Sequence, residues 1–187
     1  MMVQDWGGPI GFSVATRHPD RFSTFVIGNT WGWPKSDPGT QVFSRLLGGP
    51  IGRYLILRKN FFVERIIPSG RAAEAAPRHG HGRLPRPLPD ARVTPTGARL
   101  PGEILRSRPL LAEIEQRLPS LAERPALVVW PTKDFAFRAA ARRRWEELFP
   151  EHRTMLLEGA GHYIQEDAPE EIVSSIREWS EVRRVEV

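Results

Sequence analysis

Residues Met2 to Gly11, Met-Val-Gln-Asp-Trp-Gly-Gly-Pro-Ile-Gly, constrain this chain more than any other stretch. A short apolar run ends in the carboxylate of Asp5. Two glycines follow, and then an amphipathic pattern from Ile10 to Arg17. The pattern predicts a strand, a sharp turn and a helix over about Pro9 to Arg17, with an acid at the tip of the turn. Such a turn holds its apex residue in a sparsely populated conformation, and side chains beside the apex collide unless they are small. An aspartate that merely caps a helix would look similar in isolation. The rest of the chain must separate the two readings.

Two later segments do so. Ala126–Trp130 is an apolar run of buried-strand type, and Pro131-Thr132-Lys133-Asp134 follows it. Thr154–Leu157 is a second such run, followed by Glu158-Gly159-Ala160-Gly161-His162. An acid and then a histidine each stand just past the carboxyl end of a strand. Ligands bind at that edge of open α/β sheets. The order of Asp5, Asp134 and His162 is that of nucleophile, acid and base in the α/β-hydrolase arrangement, with Asp in place of the more usual serine.

The rest of the chain supplies the matching architecture. Phe22–Ile27 reads as a strand, 35–69 as mainly helical and apolar, and 103–118 as a helix in which Pro109 marks a kink or a start. The strands 126–130 and 154–157 and the helices 138–149 and 168–179 complete it. Alternation of strand and helix predicts an α/β fold, a mostly parallel sheet with flanking helices.

The stretch Met2–Trp33 resembles the haloalkane dehalogenase family of α/β-hydrolases. Ile27-Gly28-Asn29-Thr30-Trp31, Asn60-Phe61-Phe62-Val63-Glu64-Arg65 and His162-Tyr163-Ile164-Gln165-Glu166-Asp167-Ala168-Pro169 fit the same subgroup. Asp-Trp-Gly-Gly alone is shared with epoxide hydrolases. The resemblance covers 1 to about 69 and about 103 to 180. It implies a partial α/β-hydrolase fold, with a core formed by 1–34 and 103–187 and a helical cap region in 35–102.

The resemblance also implies roles. Asp5 would form an alkyl ester with a halogenated aliphatic substrate, and His162 would activate water to hydrolyse it. Asp134 would orient the imidazole. The backbone amide of Trp6 would serve an oxyanion and its indole the departing halide. Its usual second halide donor would be an upstream asparagine. Trp31 and Trp33 read as packing residues under the cap. Asn29 ends its strand where some relatives carry the triad acid. An amide cannot ionise, so the acid role falls to Asp134. Water would be the only cosubstrate, with no cofactor and no metal. His18, His79, His81 and His152 lack a strand-end context and read as surface residues. The alternatives are an epoxide hydrolase-like enzyme and a non-catalytic remnant of the fold. Epoxide opening needs a proton donor, commonly two cap tyrosines, and only Tyr54 and Tyr163 exist.

Segment 71–102 breaks the pattern. It holds six arginines against Glu74 and Asp90, and most of the +5 net charge. Ala, Arg, Pro and Gly supply 22 of its 32 residues, and it has no Phe, Trp, Tyr, Ile, Met or Lys. Two readings remain. It is a disordered, proline-rich linker, or it is a cap segment translated out of frame, since these four residues have GC-rich codons. The second is preferred, because the resemblance stops near Gly70 and resumes near Gly102. Arginines without interleaved aromatics offer no stacking platform, which argues against a nucleic-acid partner. With Asp5 so near the first residue, Met1 reads as an internal start and the chain as the C-terminal part of a longer enzyme. On that reading the chain by itself is inactive or impaired. No cysteine is present and no apolar run approaches membrane-spanning length, so a cytoplasmic protein with no membrane partner is expected. The substrate preference and oligomeric state are not encoded legibly.

Overall fold

The computed structural model describes residues 1–70 and 97–185. The frameshift-or-linker question therefore lies almost wholly outside the described residues, as do His79 and His81. The described chain divides into two compact units. One holds Met1–Gly32, Gly70 and everything from Glu113 onward; the other holds Trp33–Ser69 and the described residues up to Ala112.

The first unit is built on four parallel strands: β1 (Met2–Asp5), β2 (Phe25–Thr30), β3 (Ala126–Pro131) and β4 (His152–Leu157). Their order in the sheet is β1-β2-β3-β4. Every residue of β2 and β3 is buried, as expected of central strands covered on both faces. Alternate residues serve opposite faces. Phe25 meets Phe12 of helix α1 (Gly7–Ala15) at 5.5 Å, and Phe12 stacks on Trp145 at 4.7 Å. Phe149 closes this aromatic cluster against Phe25. Val26, Leu127, Val129 and Leu157 form the other face with Ile164, Ala168 and Ile172, joined by Ile176 and Trp179 of the C-terminal helix Pro169–Val185.

The expected strands and helices of this unit are present, with one shift that matters. The second strand runs Phe25–Thr30 rather than Phe22–Ile27. Pro19–Arg21 forms a 3-10 turn that delays its start. Its polar end, Asn29-Thr30, stays in the sheet because both side chains find hydrogen bonds there. The C-terminal helix also continues beyond 179 to Val185.

The second unit is helical, as 35–69 predicted. Helix α2 (Pro38–Gly48) starts on Asp37, whose side chain accepts a hydrogen bond from the Thr40 amide at 2.8 Å. Helix α3 (Pro50–Lys59) follows, then a π-helical turn, Phe62–Ile66. The pattern expected over 103–118 is two helices, Leu100–Arg106 and Arg108–Arg117. Pro109 marks the start of the second, where its missing N–H costs nothing. A Cβ on Gly48 would overlap the Cα of Gly102, so α2 and the helix Leu100–Arg106 touch backbone to backbone. The Ser44 hydroxyl donates to the Pro101 carbonyl at the same crossing, 2.6 Å away.

Trp145 is the keystone of one sheet face. It is fully buried, stacks on Phe12 and donates its indole N–H to the Thr30 carbonyl at 3.1 Å. Trp145→Ala should lower stability by about 3–5 kcal/mol, the usual cost of truncating a buried aromatic. Urea unfolding followed by circular dichroism measures this, with exposed His18→Ala expected to leave the midpoint unchanged.

Candidate active site

Three strand ends and one turn converge at the carboxyl edge of the sheet. Asp5 terminates β1 with φ of 45°, one of two non-glycine residues with positive φ among the described residues. Two contacts hold that conformation. The Thr30 hydroxyl donates to the Asp5 carbonyl at 2.5 Å, tying the turn to the end of β2. Helix α1 begins at once with Gly7 and Gly8, and a Cβ on Gly8 would overlap Thr30 Oγ1 and come within 2.7 Å of the Trp31 carbonyl. The strained elbow expected from the sequence is therefore present. Asp5 and Trp6 are both partly buried, at the helix end where unpaired amides favour an anion.

Asp134 lies in the loop after β3, and its side chain is fully buried. His162 lies in the loop after β4. The two loops are stitched together by backbone bonds, Thr132 N–H to the Leu157 carbonyl at 3.1 Å and Lys133 N–H to the Ala160 carbonyl at 3.0 Å. They bring His162 Nδ1 to 3.1 Å from Asp134 Oδ2. The peptide of His162 is held too. Its N–H donates to the Gly70 carbonyl at 2.7 Å, and its carbonyl accepts from Gln4 Nε2 at 3.1 Å.

Electrostatics follow from these contacts. Burial by itself would depress the His162 pKa; the hydrogen bond and charge of Asp134, with the charge of Asp5, outweigh it and leave the pKa raised. Burial likewise works to raise Asp134, but the His162 hydrogen bond and charge, the Asn29 amide and the Ala136 N–H together hold it below the ordinary carboxylate value. The field of Asp5 is felt at His162, so all three predicted residues belong to one electrostatic group.

Aromatic rings line the same region. Trp6 meets Trp31 edge-on at 5.0 Å, Trp31 stacks on Phe137 at 5.5 Å, and Phe137 stacks on the His162 ring at 5.9 Å. Trp31 is buried, as a packing residue should be. Tyr163 stands edge-on to His162 at 5.0 Å. His18 and His152 are exposed, as expected. Three contributors escaped the sequence reading. Gln4 lay inside the first motif but was given no role, Phe137 has no sequence signal, and Asn29 was considered only as a missing acid.

The comparisons with known proteins bear on the fold and the family. The family model for the alpha/beta hydrolase fold matches residues 1–169. The chain is 42% identical over 182 residues to Haloalkane dehalogenase 2 of Mycobacterium tuberculosis (strain ATCC 25618 / H37Rv), a match that covers 95% of this chain and 62% of that protein. It is 29% identical over 191 residues to the cis-3-alkyl-4-alkyloxetan-2-one decarboxylase of Shewanella oneidensis, covering 96% of this chain and 58% of the relative. The chain thus spans about three fifths of the length of these curated relatives. Among solved structures it superposes on an ancestral haloalkane dehalogenase (node 2) with a TM-score of 0.79 and 23% identity, over 98% of this chain and 68% of that one. The likeness in structure concerns the fold. With a matched family model, a parallel sheet and an acid-bearing elbow after its first described strand, the chain belongs to the alpha/beta hydrolase fold family.

Proposed function

We propose that these residues form the hydrolytic machinery of a haloalkane dehalogenase, with Asp5 as nucleophile, His162 as base and Asp134 as its orienting acid. The observation that carries the reading is the paired His162–Asp134 within the field of a carboxylate held at a strained elbow. Similarity to Haloalkane dehalogenase 2 supports it.

The chemistry follows from the residue types. The Asp5 carboxylate attacks a carbon from the side opposite its halogen. The carbon–halogen bond breaks, the halide leaves with the bonding pair, and an alkyl ester of Asp5 remains. A carboxylate needs no base for that step. Asp134 occupies Nδ1 of His162, which leaves Nε2 to take a proton from water. The resulting hydroxide attacks the ester carbonyl carbon, and the C–O bond to Asp5 breaks. The alkoxide takes the hydroxide's proton and leaves as the alcohol, Asp5 is regenerated as the carboxylate, and His162 gives its proton to solvent. The backbone amide of Trp6 stabilises the oxyanion of that step. Its indole N–H, a donor with no acceptor capacity, suits the departing halide. The substrate is a halogenated aliphatic, water is the cosubstrate, and the expected compartment is the cytoplasm.

An epoxide hydrolase reading is weaker because an alkoxide needs a proton donor, whereas a halide leaves without one. Tyr54 is largely exposed and Tyr163 packs against the base. The decarboxylase relative makes an alkyl oxetan-2-one the informative competing substrate.

The test compares the 187-residue chain alone with the same chain fused to the part of Haloalkane dehalogenase 2 that it does not match. β1 is an edge strand of the described sheet, so the fusion asks whether a further strand beside it brings Asp5 into productive alignment. Misplacement of a reacting group costs about a hundredfold. The chain alone should release halide from bromoalkanes no faster than buffer, and the fusion should turn over. In the fusion, Asp5→Ala should abolish release. His162→Phe should release one halide per chain and retain a mass increment equal to the alkyl group. Sustained turnover by that variant, or turnover of the oxetanone in preference to bromoalkanes, sinks the assignment.

Trp6→Phe in the fusion should weaken chloride binding while preserving the circular dichroism spectrum. Chloride quenching of tryptophan fluorescence reads this, and unchanged affinity counts against the halide role.

The raised pKa of His162 sets the pH dependence. The base works only when neutral, so ester hydrolysis should fall with acid through a midpoint above the ordinary histidine value of 6.5. Asp134→Asn removes the larger influences that raise it, so the acid limb should move to lower pH while the maximal rate drops. A pH–rate profile of the fusion checks both.

A further inference from the structure

We propose that Asn29 is a positioning residue of the acid–base pair, its side-chain amide joining the Asp134 carboxylate to the backbone of His162. The inference rests on the roles proposed above for Asp134 and His162 and extends them to a third strand.

The case begins with burial. Asn29 is 0% exposed and sits in Phe-Val-Ile-Gly-Asn-Thr, a strand with no exposed residue. Taking an amide out of water costs free energy unless partners replace it. The donor end of Asn29 is fully engaged. Nδ2 donates to Asp134 Oδ2 at 2.5 Å and to the His162 carbonyl at 2.9 Å. It also stands 3.4 Å from His162 Nδ1. Its Oδ1 has no hydrogen-bond partner among the described residues. The amide is thus oriented by its donors, and both donors point at the acid–base pair.

Those contacts tie the two loops, already stitched to each other, to a further strand of the sheet. Asp134 follows β3 and His162 follows β4, while Asn29 is fixed in the backbone of β2. One NH2 group therefore joins the acid of one loop and the backbone of the other to β2. The oxygen it contacts is the one that meets the imidazole; the other, Oδ1, accepts from the Ala136 N–H at 2.7 Å. Without Asn29 the Asp134 carboxylate keeps a single anchor on its own loop and can rotate its second oxygen away from Nδ1. An aspartate of the same shape would do worse. It would place a second carboxylate at hydrogen-bond distance from Asp134, and two such groups share one proton.

The experiment is an NMR titration of the 187-residue chain with labelled carboxyl carbons and histidine nitrogens, which needs no turnover. Asp134→Asn is the control for the pair, and it should lower the His162 midpoint. Asn29→Leu should raise the proton affinity of Asp134 by about tenfold and accelerate exchange of the His162 Nδ1–H. Asn29→Asp, isosteric and expected to fold where the leucine variant does not, should leave one carboxyl of the 29/134 pair with a proton affinity raised more than tenfold. If Asp134 and His162 titrate as in the parent in the folded Asn29 variants, while His162 still responds to Asp134→Asn, the positioning role is overturned alone. If His162 ignores Asp134→Asn, the acid–base pairing itself fails and the role of Asn29 falls with it.

Discussion

The close approach of α1 to the end of β2 is the contact on which the site depends. Gly8 admits the Thr30 side chain and the Trp31 carbonyl into space that any Cβ would occupy, and the Thr30 hydroxyl holds the Asp5 carbonyl. A positive φ at a non-glycine residue costs on the order of 1–3 kcal/mol and persists only where surroundings over-determine it. Here the surroundings are a helix start, a strand end and a hydroxyl, all within five residues of the turn or of its sheet neighbour. Once Asp5 is fixed, the register of β1 on β2 and of β2 on β3 fixes where the later loops can meet it.

The acid and the base are held by opposed forces of similar kind. Each is buried enough for desolvation to favour its neutral form. Each stays biased toward its charged form because the partner, and for Asp134 two further donors, outweigh that burial. Such a balance is sensitive to single hydrogen bonds, since losing one donor leaves the desolvation in place. The aromatic rings from Trp6 through Trp31 and Phe137 to His162 supply low-dielectric walls that keep these interactions strong.

Legibility in the sequence followed the range of the interactions. The elbow was legible because its constraint is local: an acid, two glycines and the start of an amphipathic helix stand in one stretch. Asp134 and His162 were legible because each directly follows an apolar strand. The end of β2 was misjudged because Asn29 and Thr30 look like loop residues. Their place in the sheet comes from partners on β1 and in the loops after β3 and β4, which local composition does not register. The two helices in place of one over 103–118 show the same limit. Pro109 announced a helix start or a kink, and only packing decides which. Phe137 left no trace, since an aromatic in a loop gains its role from where the loop lands.

The sequence separations of the site contacts carry a kinetic meaning. Asn29 reaches Asp134 across 105 residues and His162 across 133, while Gln4 reaches the His162 carbonyl across 158. Contacts of such range form only after the sheet has closed large loops, and parallel pairing of this kind is slow. During synthesis the residues of the elbow emerge before both loops and must wait for them. Until β4 docks, β3 has a bare edge and Asp134 lacks the imidazole it pairs with. The assembled site thus depends on the docking of β4 and is lost when β4 detaches.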